Sequence, residues 1–278
     1  MTNDKAEVLK GRITELVAKL ADSTDQAAQS QLFSAYLKMC ATLHHYSWHN
    51  CALIFSQCPH ATRVAGYVRW KELGRQVVAG AKGIAIFVPM TRKEKVTAED
   101  GAEQESTRLW FAVRYVFDVS ATMGEPLPEL PTDCTGDGGE ILCARLMAYA
   151  AGLGITVETK PIEGSAKGYA WDKGRKIVLS DALAPADRAA VLIHEVTHCL
   201  AHFGDPKPNL KQRELEAEAT SFVVASHFGL NPESRWYLAS YQITATDLLD
   251  SLETIQTTAA QVINALEAKP EDSLAYVA

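Results

Sequence analysis

The sequence lacks the features that would assign it to a membrane, secreted or thiol-metal class of protein. It has no apolar run of about 18 to 20 residues, the length that a membrane helix needs. Its first twenty residues interleave charges with apolar side chains, unlike the uninterrupted apolar core of a secretory signal. None of its six cysteines forms a CxxC pair, which excludes a zinc knuckle and a thioredoxin-type site. We therefore expect a cytoplasmic protein that has free thiols and does not contact a membrane.

Acidic residues are nearly absent from one part of the chain. Residues 28–92 contain seven Lys or Arg against the single acid Glu72, whereas residues 126–278 contain 21 Asp or Glu against 12 Lys or Arg. The overall composition is that of a globular protein, with 278 residues, 47% of them apolar and 22% charged. This length suffices for about two domains, and the charge asymmetry indicates that they have different partners.

Apolar periodicity and turn residues predict an α+β protein with two domains. The predicted helices are 5–20, 26–43, 140–153, about 185–203, about 211–228 and about 245–267. The predicted strands are 63–70, 83–89 and 110–120 in the first half, with a polar hairpin excursion at 91–106, and a pair at 155–161 and 176–180 around the turn GYAWDKGRK. Residues 126–139, dense in Pro, Gly and acids, are the predicted linker between domains 1–125 and 140–278.

One segment carries a specific chemical signal, the HExxH motif at residues 194–198. His194 and His198 are four residues apart, so on a helix they share a face and can bind one ion. Glu195 can then act as general base toward a water molecule that zinc has acidified. The motif follows an apolar run at 189–193, and burying these polar groups without a metal would be costly. The sequence therefore predicts a catalytic zinc site, although manganese or cobalt could occupy the same ligands.

A catalytic zinc ion usually has three protein ligands, and the segment RELEAEATSFVV offers candidates for the third. On a helix Glu214 and Glu218 share a face, while Glu216 points roughly opposite. We expect Glu214 to be the ligand and Glu218 to support a ligand histidine, with the reverse assignment as the alternative. Glu216 is interpreted as solvated.

Two further features lie near the motif, the residue His202 and the predicted strand at 176–180. His202 extends the pattern to HExxHxxxH without the glycine spacing of metzincins, and we interpret it as a helix-surface residue. The strand 176–180 could pair with extended substrate as a sheet edge, or could equally be a buried core strand.

The first half resembles the N-terminal domain of ArdC-type antirestriction proteins. The landmarks are HxYSxxNxxLI from residue 44, ATxVAGYxxWxxLGRxVxxGxKGIAI from residue 61 and FDVSxTxGEPLP from residue 117. The resemblance implies a single-stranded DNA-binding domain followed by a zincin-like metallopeptidase domain similar to the ImmA/IrrE peptidases, encoded on a plasmid, phage or related element. The DNA-facing residues that it implies are Tyr46, Ser47, Asn50, Arg63, Trp70, Lys71, Arg75 and Lys82.

The resemblance and the motif together predict a zinc endopeptidase that binds single-stranded DNA and cleaves DNA-associated proteins. Two other functions remain open. The chain could protect single strands without proteolysis, or it could be a regulatory protease that cleaves a repressor. Where family members often have RKGEKG, this chain has residues 78–83 as VAGAKG, so it offers fewer phosphate contacts there.

Overall fold

The computed structural model describes residues 2–21, 26–97, 103–127, 138–171, 173, 175–204, 208–230 and 244–268. Its internal contacts divide the chain into two compact units. The first unit comprises Met1–Leu16 and His49–Leu127, and the second comprises Val17–Trp48 and Pro128–Ala278. Residues 17–48, which the sequence prediction assigned to the first domain, group with the second unit. Most of the predicted linker 126–139 lies outside the described residues.

The first unit combines short helices with two small sheets. Its elements are the start of α1 (Thr2–Ala21), α3 (Trp48–Gln57), β1 (Val64–Ala65), α4 (Tyr67–Glu72), β2 (Arg75–Val77), β3 (Ile84–Thr97), β4 (Glu103–Asp118) and β5 (Thr122–Gly124). One sheet has the order β1-β4-β3, and β2 pairs with β5 in the other. The strand predicted over 63–70 is wrong for its second half. The short helix α4 begins after Gly66 instead. This helix buries Trp70, whose indole N–H donates to the Phe117 carbonyl at 2.9 Å.

The predicted long hairpin is confirmed. β3 and β4 pair in antiparallel register from Ile84 opposite Val116 to Thr97 opposite Glu103. Because successive strand side chains point to opposite faces, one face of the hairpin buries Ile84, Ile86 and Val116 and the other is available to solvent. Helix α3 fastens the hairpin through Asn50, whose side-chain amide donates to the Phe87 carbonyl at 2.8 Å and accepts from the Phe87 N–H at 3.0 Å.

The second unit packs helices against a three-stranded mixed sheet. The helices are α2 (Gln26–Thr42), α5 (Gly138–Gly152), α6 (Pro185–Ala201), α7 (Leu210–His227) and α8 (Ala245–Glu267), and the strands are β6 (Thr156–Lys160), β7 (Gly168–Trp171) and β8 (Lys176–Ser180). These five helices confirm the sequence prediction to within a few residues. α6 packs between α5 and α7, so that both flanks of α6 are covered.

The sheet of the second unit corrects two sequence predictions. The segment GYAW at 168–171, expected as part of a turn, is the strand β7 and pairs antiparallel with β8. The strand order is β6-β8-β7, with β6 parallel to β8. β8 is therefore central, and its side chains at Ile177, Val178 and Leu179 are fully buried. Of the two interpretations of residues 176–180, the buried core strand is correct, and the sheet edge lies at β7.

The expectations about membrane helices and free thiols can be compared with the structure. Among the described helices, none combines the length and the apolar character that a membrane span requires. Five cysteines are free thiols, as expected, at Cys40, Cys51, Cys58, Cys143 and Cys199. Cys134 lies outside the described residues.

Candidate metal centre

Helix α6 holds the HExxH motif against the core of the second unit. The helix begins at Pro185, a residue suited to the first helical position because its missing N–H would be unpaired there. Leu192, Ile193 and Val196 are fully buried and fix the rotation of the helix. His194 and His198 then lie one turn apart on the side that faces α7, each only partly exposed.

Three side chains converge on one point between α6 and α7. The Nε2 atoms of His194 and His198 are 3.0 Å apart. The Glu214 carboxylate of α7 lies 3.6 Å from each of them, through Oε2 toward His194 and Oε1 toward His198. Ligand-type atoms of these three residues all lie within 4.8 Å of one another, and within the described part of the chain they form the one such cluster. The predicted ligand set is thus brought together in space.

Glu195 lies in the same cleft as this cluster but is more deeply buried than the histidines. Burial raises the pKa of its carboxyl to about 7, and the nearby carboxylates of Glu214 and Glu218 add to the rise. The positive charge of His194 and a backbone hydrogen bond from Ala170 of β7 partly offset this rise in pKa. The position of Glu195 beside the three donors is what the HExxH pattern predicts for a general base.

The charges of the cluster shift the pKa values of its members in opposite directions. Burial disfavours the charged form of His194, but the hydrogen bond to Glu214 and the charges of Glu218 and Glu195 outweigh it and raise its pKa. The pKa of His198 is lowered, chiefly by burial and then by His194. The hydrogen bond with His194 holds the pKa of Glu214 low.

The three glutamates of α7 separate as the helical periodicity predicts, with one exception. Glu214 faces both Nε2 atoms, whereas Glu218 is half exposed and approaches the Nδ1 atom of His194 at 3.8 Å. Glu216 points away from that cluster but is not solvated. It is 1% exposed, and its Oε2 atom lies 2.8 Å from His202 Nε2. The expectation of a solvated Glu216 is therefore wrong, because α7 buries this side chain against the end of α6.

His202 is also misassigned by the sequence interpretation. It is 2% exposed, not on the helix surface. As the C-terminal cap of α6, it turns its ring inward, and its Nδ1 atom lies 2.8 Å from Nδ1 of His198. The HExxHxxxH spacing was the signal that could have found it, since residues four apart share a helix face.

The cluster opens into a cleft of about 310 Å³ whose wall includes an edge strand. β7 lines it through Gly168, Tyr169 and Ala170. A Cβ atom at Gly168 would lie 2.8 Å from Val191 Cγ1 of α6, so glycine permits the strand to approach the HExxH helix this closely. Phe203 and Arg213 complete the lining and were not anticipated from the sequence.

Three residues that the resemblance assigned to DNA contacts have structural roles in the first unit. Trp70 is 1% exposed, so it cannot stack on a base. The side-chain amide of Asn50 is occupied by both backbone groups of Phe87. The guanidinium of Arg75 donates to Thr122, Gly124 and Glu125 and thereby fastens β2 to β5. The assignment of Trp70 is therefore wrong, whereas Asn50 and Arg75 have structural hydrogen bonds and their DNA contacts stay predictions.

The remaining predicted DNA contacts stay predictions. Lys71 and Lys82 are exposed and Arg63 is half-buried, all in the first unit, whereas Tyr46 and Ser47 belong to the second. Residues 44–117 also interleave basic side chains with aromatic ones, a composition suited to stacking on single strands, and Phe111 and Tyr115 are among those aromatics. On the solvent face of β4, Phe111 is 61% and Tyr115 49% exposed. Their even spacing places them on one face of the strand.

The fold and the cluster together define an α+β protein with a metallopeptidase-like second domain. Residues 150–259 match the peptidase M78 family, described as an IrrE N-terminal-like domain. Residues 6–117 match the N-terminal domain of the anti-restriction factor ArdC. The chain therefore combines an ArdC-type N-terminal domain with an IrrE-like peptidase domain, as the sequence landmarks predicted.

Known proteins agree with this assignment at the level of the fold. The manganese-bound crystal structure of the antirestriction ArdC protein from plasmid R388 is 18% identical, with a TM-score of 0.56, over 96% of this chain and 98% of that one. The metal-free structure of the same protein gives 21% identity and a TM-score of 0.50, over 80% and 82%. An uncharacterized protein of Bacillus anthracis is 25% identical over 95% of this chain. The chain spans about half of that relative's length, 52%.

Proposed function

We propose that this protein is a metal-dependent endopeptidase, with zinc as its ion, that binds single-stranded DNA and hydrolyses peptide bonds in DNA-associated proteins. The observation that carries the proposal is the convergence of His194, His198 and Glu214 beside the buried Glu195. The match to an IrrE-like peptidase domain and to an anti-restriction N-terminal domain supports it. Free thiols in the described part of the chain agree with action in the reducing cytoplasm.

The spacing of the donor atoms fits a small divalent ion. Bonds of about 2.0–2.1 Å at tetrahedral angles would separate neighbouring ligand atoms by about 3.3–3.4 Å. The observed separations are 3.0, 3.6 and 3.6 Å. Two imidazoles and one carboxylate are a donor set that zinc favours, and the manganese-bound relative keeps manganese as an alternative. When bound, such an ion acidifies water and polarises a peptide carbonyl.

Glu195 would supply the proton transfers of hydrolysis. Its carboxylate stands beside the three donors, where it can accept a proton from the attacking water and deliver it to the departing amine. In the metal-free site, burial raises the pKa of this carboxyl to about 7, as is typical of carboxyls at functional sites. The backbone hydrogen bond from Ala170 orients the carboxylate from the β7 side of the cleft.

The substrate would bind in extended form along β7. This strand is at the edge of its sheet, because β8 occupies one side and no described strand occupies the other. An edge strand offers unpaired backbone groups that an added peptide can use. The cleft lining by Gly168, Tyr169 and Ala170 would bring a peptide held there to Glu195.

The first unit would bind single-stranded DNA through its aromatic strand face. Phe111 and Tyr115 are exposed aromatic residues of the kind on which bases stack without sequence preference, and Lys5 Nζ lies 5.9 Å from the centre of the Tyr115 ring. Lys71 and Lys82, both exposed, would contact phosphates within a segment that carries almost no acid. We retain Tyr46, Ser47 and Arg63 as further candidate contacts.

Two paired assays test this function. Fluorescence anisotropy with a single strand and its duplex, at two salt concentrations, should show preference for the single strand and weaker binding at high salt. Zinc-loaded protein should then cleave a protein bound to that strand. Protection of DNA without cleavage would instead support a non-proteolytic antirestriction protein. Cleavage without any DNA affinity would support a repressor-cleaving protease.

A further inference from the structure

A chain of hydrogen bonds runs from one predicted ligand into the protein interior. His198 Nδ1 lies 2.8 Å from His202 Nδ1, and His202 Nε2 lies 2.8 Å from Glu216 Oε2. The other carboxylate oxygen, Oε1, accepts from the Gln212 side-chain amide at 2.9 Å. His202 and Glu216 are 2% and 1% exposed, so water does not compete for these bonds.

From this geometry we infer that His202 and Glu216 are positioning residues that hold His198 in the tautomer able to bind the metal through Nε2. The inference rests on the proposed metal site. It assigns a role to two residues that the HExxH pattern leaves out, and it makes the environment of His198 different from that of His194, whose Nδ1 faces the half-exposed Glu218 at 3.8 Å.

The proton positions follow from which atoms can donate. The Glu216 carboxylate only accepts, so the proton of the neutral His202 ring lies on Nε2. That leaves a lone pair on His202 Nδ1, which can only accept from His198. His198 therefore carries its proton on Nδ1 and presents the Nε2 lone pair toward His194 and Glu214. The reverse arrangement would place a proton on His198 Nε2 and prevent metal binding.

Gln212 completes the arrangement by limiting what Glu216 can do. Its amide occupies Oε1, and its backbone N–H is held by the side chain of Asn209, the N-cap of α7. The carboxylate is thus fixed by the first turn of the same helix that carries Glu214. The N-terminal part of α7 therefore carries both the proposed ligand Glu214 and the residue Glu216, which acts on the proposed ligand His198 through His202.

The test measures zinc affinity by chelator competition in the full-length protein. Glu216→Leu, which removes the acceptor, and His202→Leu should each lower the affinity by about 10- to 100-fold. The double variant should lose no more than the worse single variant, because both act through one chain of bonds. His202→Gln should recover part of the loss, since its carbonyl can accept from His198 and its amide can donate to Glu216.

Ser221→Ala is the matched control. The Ser221 hydroxyl donates to the Ala190 carbonyl at 2.8 Å, so its loss removes a hydrogen bond between the same two helices away from the cluster. It should lower the thermal stability of the metal-free protein and leave zinc affinity unchanged. If Glu216→Leu and His202→Leu behave like Ser221→Ala, the pair is only structural and the inference is overturned.

A second measurement needs no variant to fold. Long-range ¹H–¹⁵N NMR of the zinc-loaded wild-type protein should find the His202 proton on Nε2, and a proton on His202 Nδ1 instead would overturn the inference. Stoichiometric zinc binding that is abolished by His194→Ala shows that the metal site itself is correct, whatever the His202 result. Wild-type protein that binds no zinc would overturn the proposed function and this inference together.

Discussion

For single residues, burial distinguishes the polar side chains of the candidate metal centre from those of the surface. Glu195, Glu216 and His202 are all buried, and each has a hydrogen-bond partner that offsets the cost of its burial. A buried polar group without such a partner would cost stability. His44 is the contrasting case, because both of its ring nitrogens are buried, no group in the described part of the chain hydrogen-bonds to them, and the Glu267 carboxylate comes only within 3.9 Å of Nε2.

Replacement of the proposed general base should separate metal binding from catalysis. Glu195→Gln keeps the size of the side chain but removes the proton acceptor, so cleavage should fall by about 10²- to 10⁴-fold while the zinc content stays at the wild-type level. The comparison variant is Glu253→Gln, an exposed position on α8, which should keep full activity. An active Glu195→Gln protein would contradict the assigned role.

The low pKa of His44 predicts that the folded protein loses stability in mild acid. Burial lowers its pKa to about 4, from an ordinary value of 6.5, with help from His45 and His227. The unfolded state therefore takes up a proton below pH 6.5 that the folded state takes up only near pH 4. The free energy of unfolding should fall by about 2 kcal/mol between pH 7 and pH 5, and the fall should continue toward pH 4.

Urea denaturation at a series of pH values measures this dependence. His44→Phe removes the titrating group, and the difference between its pH profile and that of the wild-type protein isolates the contribution of His44. Parallel profiles for the two proteins would show that His44 is not the source.

At the scale of elements, the site depends on the close approach of α6, α7 and β7. The α6–α7 contact brings Glu214 to the two histidines, and β7 contributes a backbone hydrogen bond to Glu195. In the first unit, the two faces of β4 differ in burial. One face buries Val116, and the other exposes Phe111 and Tyr115.

The aromatic face of β4 should carry part of the DNA affinity. Phe111→Ala should weaken binding to a single strand by about 1–3 kcal/mol, because base–aromatic stacking is lost. The anisotropy measurement checks this. Val68→Ala, which truncates another exposed apolar side chain of the same unit, should leave affinity unchanged. Equal losses in the two variants would argue against stacking.

At the scale of the whole molecule, charge is distributed unevenly although the net charge is −7. The nearly acid-free segment 28–92 includes the exposed turn at residues 78–80, where this chain has Val, Ala and Gly. Electrostatic attraction to nucleic acid depends on such local balances more than on the net value. The turn is therefore a place where DNA affinity can be raised without touching the metal centre.

Adding basic residues to this turn should strengthen DNA binding in a salt-dependent way. The double variant Val78→Arg/Ala79→Lys adds two cations, and each should steepen the dependence of log affinity on log salt by about 0.7 for a single strand. The anisotropy salt series measures the slope. Zinc affinity and peptide cleavage should not change, and an unchanged slope would place this turn outside the DNA contact.

The local pattern of the site could be predicted from the sequence. HExxH on an apolar run fixes His194, Glu195 and His198 on one helix, and the spacing of Glu214 and Glu218 fixes their shared face, because helical periodicity is a local property. The family landmarks gave the order of the two domains for the same reason, since they are continuous stretches of chain. The catalytic and ligand roles of these residues remain predictions.

Which faces became interior could not be predicted from the sequence, because it depends on how the elements pack. Trp70 is a core residue, β8 lies at the centre of its sheet, and His202 and Glu216 meet inside the protein. Each of these outcomes depends on which element packs on which, and the partners are separated in sequence by tens of residues or by an intervening loop. Burial is a property of that packing, and a residue's own neighbours along the chain do not specify it.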